Sequence, residues 1–154
     1  MPQINKQEPG SRRTVRDVMT PNPASVSEKD TIKRVAEIMK REDAGVVPVV
    51  DGRKVIGMIT DRDIVVRLIA EGKDPGNAKV NEAMTKQVRA VKEETPINEV
   101  LQLMSREQIR RVPVTNNNDE LVGIVSIGDI ASDSKETVKV GRAVEDISDA
   151  PPNN

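Results

Sequence analysis

The chain contains no cysteine, no histidine and no aromatic residue. Without cysteine there is no disulfide framework. With histidine also missing, Cys- or His-based metal sites are excluded, as is any nucleophile–base pair built on either. Without Phe, Tyr or Trp there is no platform on which unpaired bases stack. An excess of one charge is lacking too: 24 Lys and Arg against 25 Asp and Glu in 154 residues leave a net charge of −1. No global field therefore draws the protein to nucleic acid or to an anionic membrane. No apolar run approaches the roughly 20 residues that cross a bilayer, and the opening MPQINKQEPGSRRT lacks the apolar centre of a secretory signal. The expectation is a cytoplasmic protein with no nucleic-acid, membrane or metal partner and no covalent cofactor.

What is present is a duplication. At an offset of 65 residues, Val18-Met19-Thr20 falls on Ala83-Met84-Thr85, Ile32, Val35, Ala36 and Met39 fall on Ile97, Val100, Leu101 and Met104, and Pro48 falls on Pro113. One extra residue in the polar loop Asn116–Glu120 moves the offset to 66, where Gly57, Thr60 and Asp63 fall on Gly123, Ser126 and Asp129. Two copies are too few for a solenoid, and each is near the size that struggles to bury enough surface alone. The halves are expected to share one core.

Within each copy the element order follows from periodicity. Val15, Val18 and Met19, and later Val80, Ala83 and Met84, suggest a short opening helix, which the turn-prone Thr20-Pro21-Asn22-Pro23 cannot continue. The 32, 35, 36, 39 and 97, 100, 101, 104 sets have amphipathic helical spacing, with Asp30 or Thr95 where a cap belongs and Pro96 in a first turn. Val46–Val50 and Val55–Ile59 read as strands joined through Asp51-Gly52, and Pro48 and Pro113 argue for a strand edge or bulge. Ile64, Val65, Leu68 and Ile69 form a helical stripe that Gly72 terminates, whereas the second copy turns polar at Ser132-Asp133-Ser134. The predicted organisation is a disordered tail over 1–13, repeat 1 over 14–75, repeat 2 over 76–133, and a C-terminal helix and tail over 134–154. In that last segment Val140, Ala143, Val144 and Ile147 keep a weak helical pattern suited to docking on the body or on a partner chain.

The two motifs, GMITDRD at 57–63 and GIVSIGD at 123–129, admit a local reading. Thr60 or Ser126 caps the following helix while the acidic residue three places on reaches back to the cap's own N–H. Such a cap needs neither the glycine nor the distant proline strand, so duplication with full context favours a binding role, and both roles can coexist. A D-x-D metal site at Asp61 and Asp63 is disfavoured, because positions i and i+2 do not share a helix face and the second copy has Ile127 in place of Asp61. Arg106, Arg110 and Arg111 also have a bland reading as a solvated surface.

A duplicated helix, strand, helix, strand, strand, helix order, with a proline strand and a G-h-x-[ST]-x-x-D turn in each copy, resembles a tandem cystathionine-β-synthase (CBS) domain pair, or Bateman module, over about residues 14–133. The resemblance implies an α/β (α+β) fold of two pseudo-symmetric repeats, each a small sheet flanked by helices. It further implies two clefts for adenosine ligands such as AMP, ADP, ATP, S-adenosylmethionine or NAD, with the motif aspartate on the ribose hydroxyls. A carboxylate can accept both hydroxyls of a cis diol, a helix start favours phosphate, and the glycine permits close backbone approach.

In the family's architecture the motif of one copy faces the opening segment and strand entrance of the other. One cleft would then comprise Thr60, Asp63, Gln87, Val88, Arg89, Arg110, Arg111 and Val112. The second would comprise Ser126, Asp129, Thr20, Asn22, Pro23, Ala24, Gly45, Val46 and Val47. Arginine pairs with phosphate oxygens through parallel hydrogen bonds, so the first cleft is expected to prefer a phosphorylated adenosine and the second a less charged one, or none. The implied function is regulatory and not enzymatic: a homodimer that senses an adenine nucleotide and acts through an unidentified effector protein. The alternative, from a different class, is an assembly module whose clefts are degenerate and whose function is dimerisation.

Overall fold

The computed structural model describes residues 13–132 and 137–148. Residues 1–12 of the expected N-terminal tail, the polar step at Asp133-Ser134, the Val140 side chain and the tail from 149 onward lie outside the described residues.

In chain order the elements are a 3-10 turn (Val15–Asp17), β1 (Thr20–Pro21), α1 (Ile32–Glu42), β2 (Val46–Asp51), β3 (Lys54–Thr60) and α2 (Asp61–Ile64), which runs on into a π-helical turn (Val65–Ile69). A second 3-10 turn (Val80–Glu82) precedes β4 (Val91–Lys92), α3 (Ile97–Glu107), β5 (Arg111–Thr115), β6 (Leu121–Ser126), α4 (Ile127–Ala131) and α5 (Thr137–Ser148). The expected opening helices are thus single 3-10 turns. The cap of α1 is Thr31, whose side chain accepts from the Arg34 N–H, while Asp30 accepts instead from the Ser27 N–H. Pro96 occupies the N-cap position of α3 and Thr95 does not cap it.

Two compact units result, and they interleave the repeats. One comprises Asn22–Arg89 with Asn118–Leu121 and carries the first motif; the other comprises, of the described residues, those up to Pro21, Ala90–Asn117 and those from Val122 on, and carries the second. They are called the Asp63 unit and the Asp129 unit below.

In the Asp63 unit, β2 and β3 form an antiparallel hairpin from Val46↔Thr60 to Asp51↔Lys54, turned at Gly52 with φ +65°. Val26 pairs in parallel with Val49 on one side of it, and Thr85 pairs antiparallel with Met58 on the other. The Asp129 unit repeats this arrangement as a four-stranded sheet in the order β1-β6-β5-β4, with Val91↔Val114 parallel and Thr20↔Ile124 antiparallel. Pro48 lies inside β2 opposite Met58, one step before a register irregularity at Val49/Val50. It is tolerated because the Met58 N–H and C=O bond to Thr85, on the far side from Pro48, and the Pro48 carbonyl faces the short Val26 segment.

The expectation of one shared core is corrected: among the described residues, the buried apolar side chains form two clusters. Val26, Val35, Val47, Ile59, Leu68, Val80 and Met84 belong to the first, and Val15, Ile97, Val100, Met104, Val112, Val125 and Ile130 to the second. Each cluster mixes both copies, because the opening segments are exchanged. Val15 N–H donates to Thr95 O and Ile97 N–H to Arg13 O in one unit; Val80 N–H donates to Asp30 O and Ile32 N–H to Ala78 O in the other. Each copy's main helix therefore starts against the opening segment of the other copy. Arg16 adds ion pairs to Glu93 and Glu94, the former raising its guanidinium above the ordinary arginine value, though an exposed pair contributes little stability.

The C-terminal helix docks on the body. Ala143 and Ile147 are buried in the core of the Asp129 unit, and α5 packs on α3. The sequence differs accordingly on the two equivalent helices: α3 presents Leu101, which is buried, where α1 presents Ala36, which is exposed.

Candidate ligand-binding site

Each motif sits where a strand ends and a helix begins. β3 closes on Thr60 and α2 starts at Asp61, while β6 closes on Ser126 and α4 starts at Ile127. The backbone at both hydroxyl residues is extended, so the first helical N–H groups have no intrahelical acceptor. The motifs supply one. Asp63 N–H donates to Thr60 Oγ1 and Thr60 N–H donates to Asp63 Oδ2, both at 3.0 Å. Asp129 N–H donates to Ser126 Oγ at 3.0 Å and Ser126 N–H donates to Asp129 Oδ2 at 2.8 Å. Both motifs are capping boxes, and each cap engages one carboxylate oxygen, leaving the other available.

The surroundings of that second oxygen differ. Thr85 Oγ1 lies 3.4 Å from Asp63 Oδ1, and Arg67 Nε lies 3.8 Å from the same oxygen. Arg67 Nη1 also donates to the Met84 carbonyl at 2.8 Å and lies 3.5 Å from that of Ala83. Asp129 Oδ1 has no such partner among the described residues. Neither Thr85 nor Arg67 is among the sequence-derived candidates. The i, i+4 spacing of Arg67 from Asp63 is the signal for one, and the repeat relation of Thr85 to Thr20 the signal for the other.

The motif glycines serve the exchanged segments. A Cβ on Gly57 would collide with the Met84 methyl and come within 2.5 Å of the Thr85 carbonyl oxygen, and a Cβ on Gly123 would collide with Met19 Sδ. The close approach that glycine permits is thus made by the Met-Thr steps.

Gly45 and Arg110, expected opposite the other copy's motif, each contact their own. The Asp61 N–H donates to Gly45 O at 3.0 Å and the Ile127 N–H donates to Arg110 O at 2.9 Å. Of the first expected set, Thr60, Asp63, Gln87, Val88 and Arg89 fall in the Asp63 unit, and Arg110, Arg111 and Val112 in the other. Of the second, Thr20, Ser126 and Asp129 fall in the Asp129 unit, and Asn22, Pro23, Ala24, Gly45, Val46 and Val47 in the other. Asn22 takes φ +49°, a region that asparagine tolerates. Val47 and Val112 have their side chains in the two cores, so only their backbone is available to a ligand.

This duplicated strand–cap–helix arrangement has counterparts. The family model for the CBS domain matches residues 15–70 and again residues 80–136. The chain belongs to the CBS-domain family. Among its CBS relatives is the CBS domain-containing protein YhcV of Bacillus subtilis (strain 168), 38% identical over 135 residues that span 88% of this chain and 95% of that protein. The crystal structure of Hypoxic Response Protein I, with two coordinated zinc ions, matches at a TM-score of 0.71 and 38% identity over 78% of this chain and 98% of that one. The CBS domain pair of protein MJ0100, in complex with 5′-methylthioadenosine and S-adenosyl-L-methionine, matches at a TM-score of 0.70 and 30% identity over 78% of this chain and 98% of that one. The mixed α/β fold of two CBS repeats is thereby shown, and a ligand-binding regulatory module is the coarse function it supports. Among the described residues no helix is long and apolar enough to cross a membrane.

Proposed function

We propose that this CBS pair senses an adenosine-containing ligand through Asp63 with Thr60 and Asp129 with Ser126, and passes the change to an effector protein without catalysing a reaction. The observation that carries the reading is the carboxylate oxygen that each cap leaves unengaged, Asp129 Oδ1 above all, since Asp63 Oδ1 already meets Thr85 and Arg67 but a carboxylate oxygen can accept more than one hydrogen bond, including one from a ribose hydroxyl. The bound adenosine compounds of the MJ0100 pair support the ligand class. Arg89, Arg110 and Arg111 enter the same proposal as phosphate partners; unchanged AMP affinity in Arg111→Ala, measured by calorimetry, removes that role for Arg111. A thermal-shift panel with AMP, ATP, S-adenosylmethionine and NAD tests the reading, because a ligand that binds only the native state must raise its melting temperature. A rise with at least one ligand, lost in the Asp63→Asn, Asp129→Asn double variant, is the expected result.

A second reading, an assembly module with unused clefts, has one observation in its support. Val65, Val66 and Ile69 on the π-helical turn of the Asp63 unit are 52%, 40% and 54% exposed, an apolar group suited to pairing with a second copy. Homodimerisation belongs to both readings. A dimer by light scattering together with no thermal shift for any of the four ligands selects the assembly module.

A further inference from the structure

The two motifs are alike in sequence and in hydrogen bonding, yet among the described residues only the first carries its own cation. Arg67 lies one helical turn after Asp63, with Nε 3.8 Å from Oδ1, and Nη1 is anchored on the Met84 carbonyl at 2.8 Å. At the 66-residue offset its place is taken by Asp133. We propose that Arg67 sets the charge class of ligand accepted at the first motif, making it a site for anionic adenosine phosphates and leaving the Asp129 motif to neutral or cationic adenosine derivatives. This rests on the adenosine reading above.

A ribose held by a lone carboxylate places any 5′ phosphate beside an uncompensated negative charge. At Asp63 the guanidinium balances that charge. Arg67 is held by a backbone carbonyl as well as by the carboxylate, so its position does not depend on Asp63 alone. A phosphate attached to a ribose on Asp63 lies within about one Debye length of it, roughly 8 Å at physiological ionic strength. Arg67 is about half exposed, with a side-chain accessibility of 49% against 14% for Asp63, so screening keeps the effect moderate. At Asp129 neither oxygen meets a cation among the described residues. Arg67 is accordingly a specificity residue that acts on the ligand's charge, while Asp63 holds the ribose.

The test is titration calorimetry with adenosine and AMP in an Asp129→Asn background, which isolates the first motif. Arg67→Gln is expected to lower the AMP-to-adenosine affinity ratio about five- to tenfold, and Arg67→Lys, which keeps the charge, to preserve most of it. The wild-type ratio should fall as salt is raised, and the Arg67→Gln ratio should respond less. A ratio unchanged in Arg67→Gln, while Asp63→Asn still abolishes binding of both ligands, overturns the inference and leaves the adenosine reading standing. Equal loss of the ratio in Arg67→Lys and Arg67→Gln also overturns it, since the guanidinium's hydrogen bonds would then matter and its charge would not. Absence of binding by either ligand, or binding indifferent to Asp63→Asn, overturns both.

Discussion

The Thr85 carbonyl oxygen stands 2.5 Å from the point where a Cβ on Gly57 would sit. Thr85 and Met58 exchange two backbone hydrogen bonds at 2.8 and 3.0 Å, so the carbonyl cannot retreat without breaking the pairing that fixes the exchanged segment on β3. Gly57→Ala is therefore expected to cost about 2–3 kcal/mol, at the upper end for overpacking. At Gly123 the obstacle is the Met19 side chain, which is flexible, and Gly123→Ala should cost about 1 kcal/mol. Urea denaturation of the two variants checks the order; an equal or reversed cost contradicts it.

Removing a cap hydroxyl leaves the Asp63 or Asp129 N–H without its acceptor. Thr60→Ala and Ser126→Ala should each lose about 1 kcal/mol. In Asp63→Asn and Asp129→Asn an amide oxygen still accepts the Thr60 or Ser126 N–H, so the stability loss should be smaller than for the hydroxyl variants. Thermal melts without ligand measure all four.

Ile147 and Val144 lie on one helix with opposite environments: Ile147 is in the core of the Asp129 unit, and Val144 is 44% exposed. Ile147→Ala should cost about 2 kcal/mol or more, and Val144→Ala under about 0.5 kcal/mol. Chemical denaturation distinguishes them. Similar small costs for both would mean that α5 does not stay docked on α3.

The paired substitution Val65→Glu, Ile69→Glu places charge on the exposed π-helical turn, away from the buried Leu68. For the homodimer proposed above, the expected result is a shift to monomer in light scattering, with the melting temperature of the monomeric form little changed. A dimer that survives both substitutions places the interface elsewhere.

Much of the local structure was legible in the residues. The β2–β3 hairpin, the amphipathic α1 and α3, the termination at Gly72 with φ +76°, and both capping boxes each depend on interactions spanning a few residues. Chain geometry alone determines those. The cap of α1 falls on Thr31, one residue after the expected Asp30, because both are competent and the turn at Ser27 takes the carboxylate.

The duplication, the strand and helix order and the two motif aspartates follow from the sequence by itself, since repeats and periodicities are properties of the string. Only the tertiary structure decided that Val15 and Val80 are buried in units dominated by the other copy, that Gly57 and Gly123 accommodate Met-Thr steps, and that Thr85 and Arg67 meet Asp63. The physical reason is the same in each case. An exchanged segment has the same composition and local pattern whichever copy it packs on, so its partner is set by long-range burial and backbone pairing, which no local window of sequence contains.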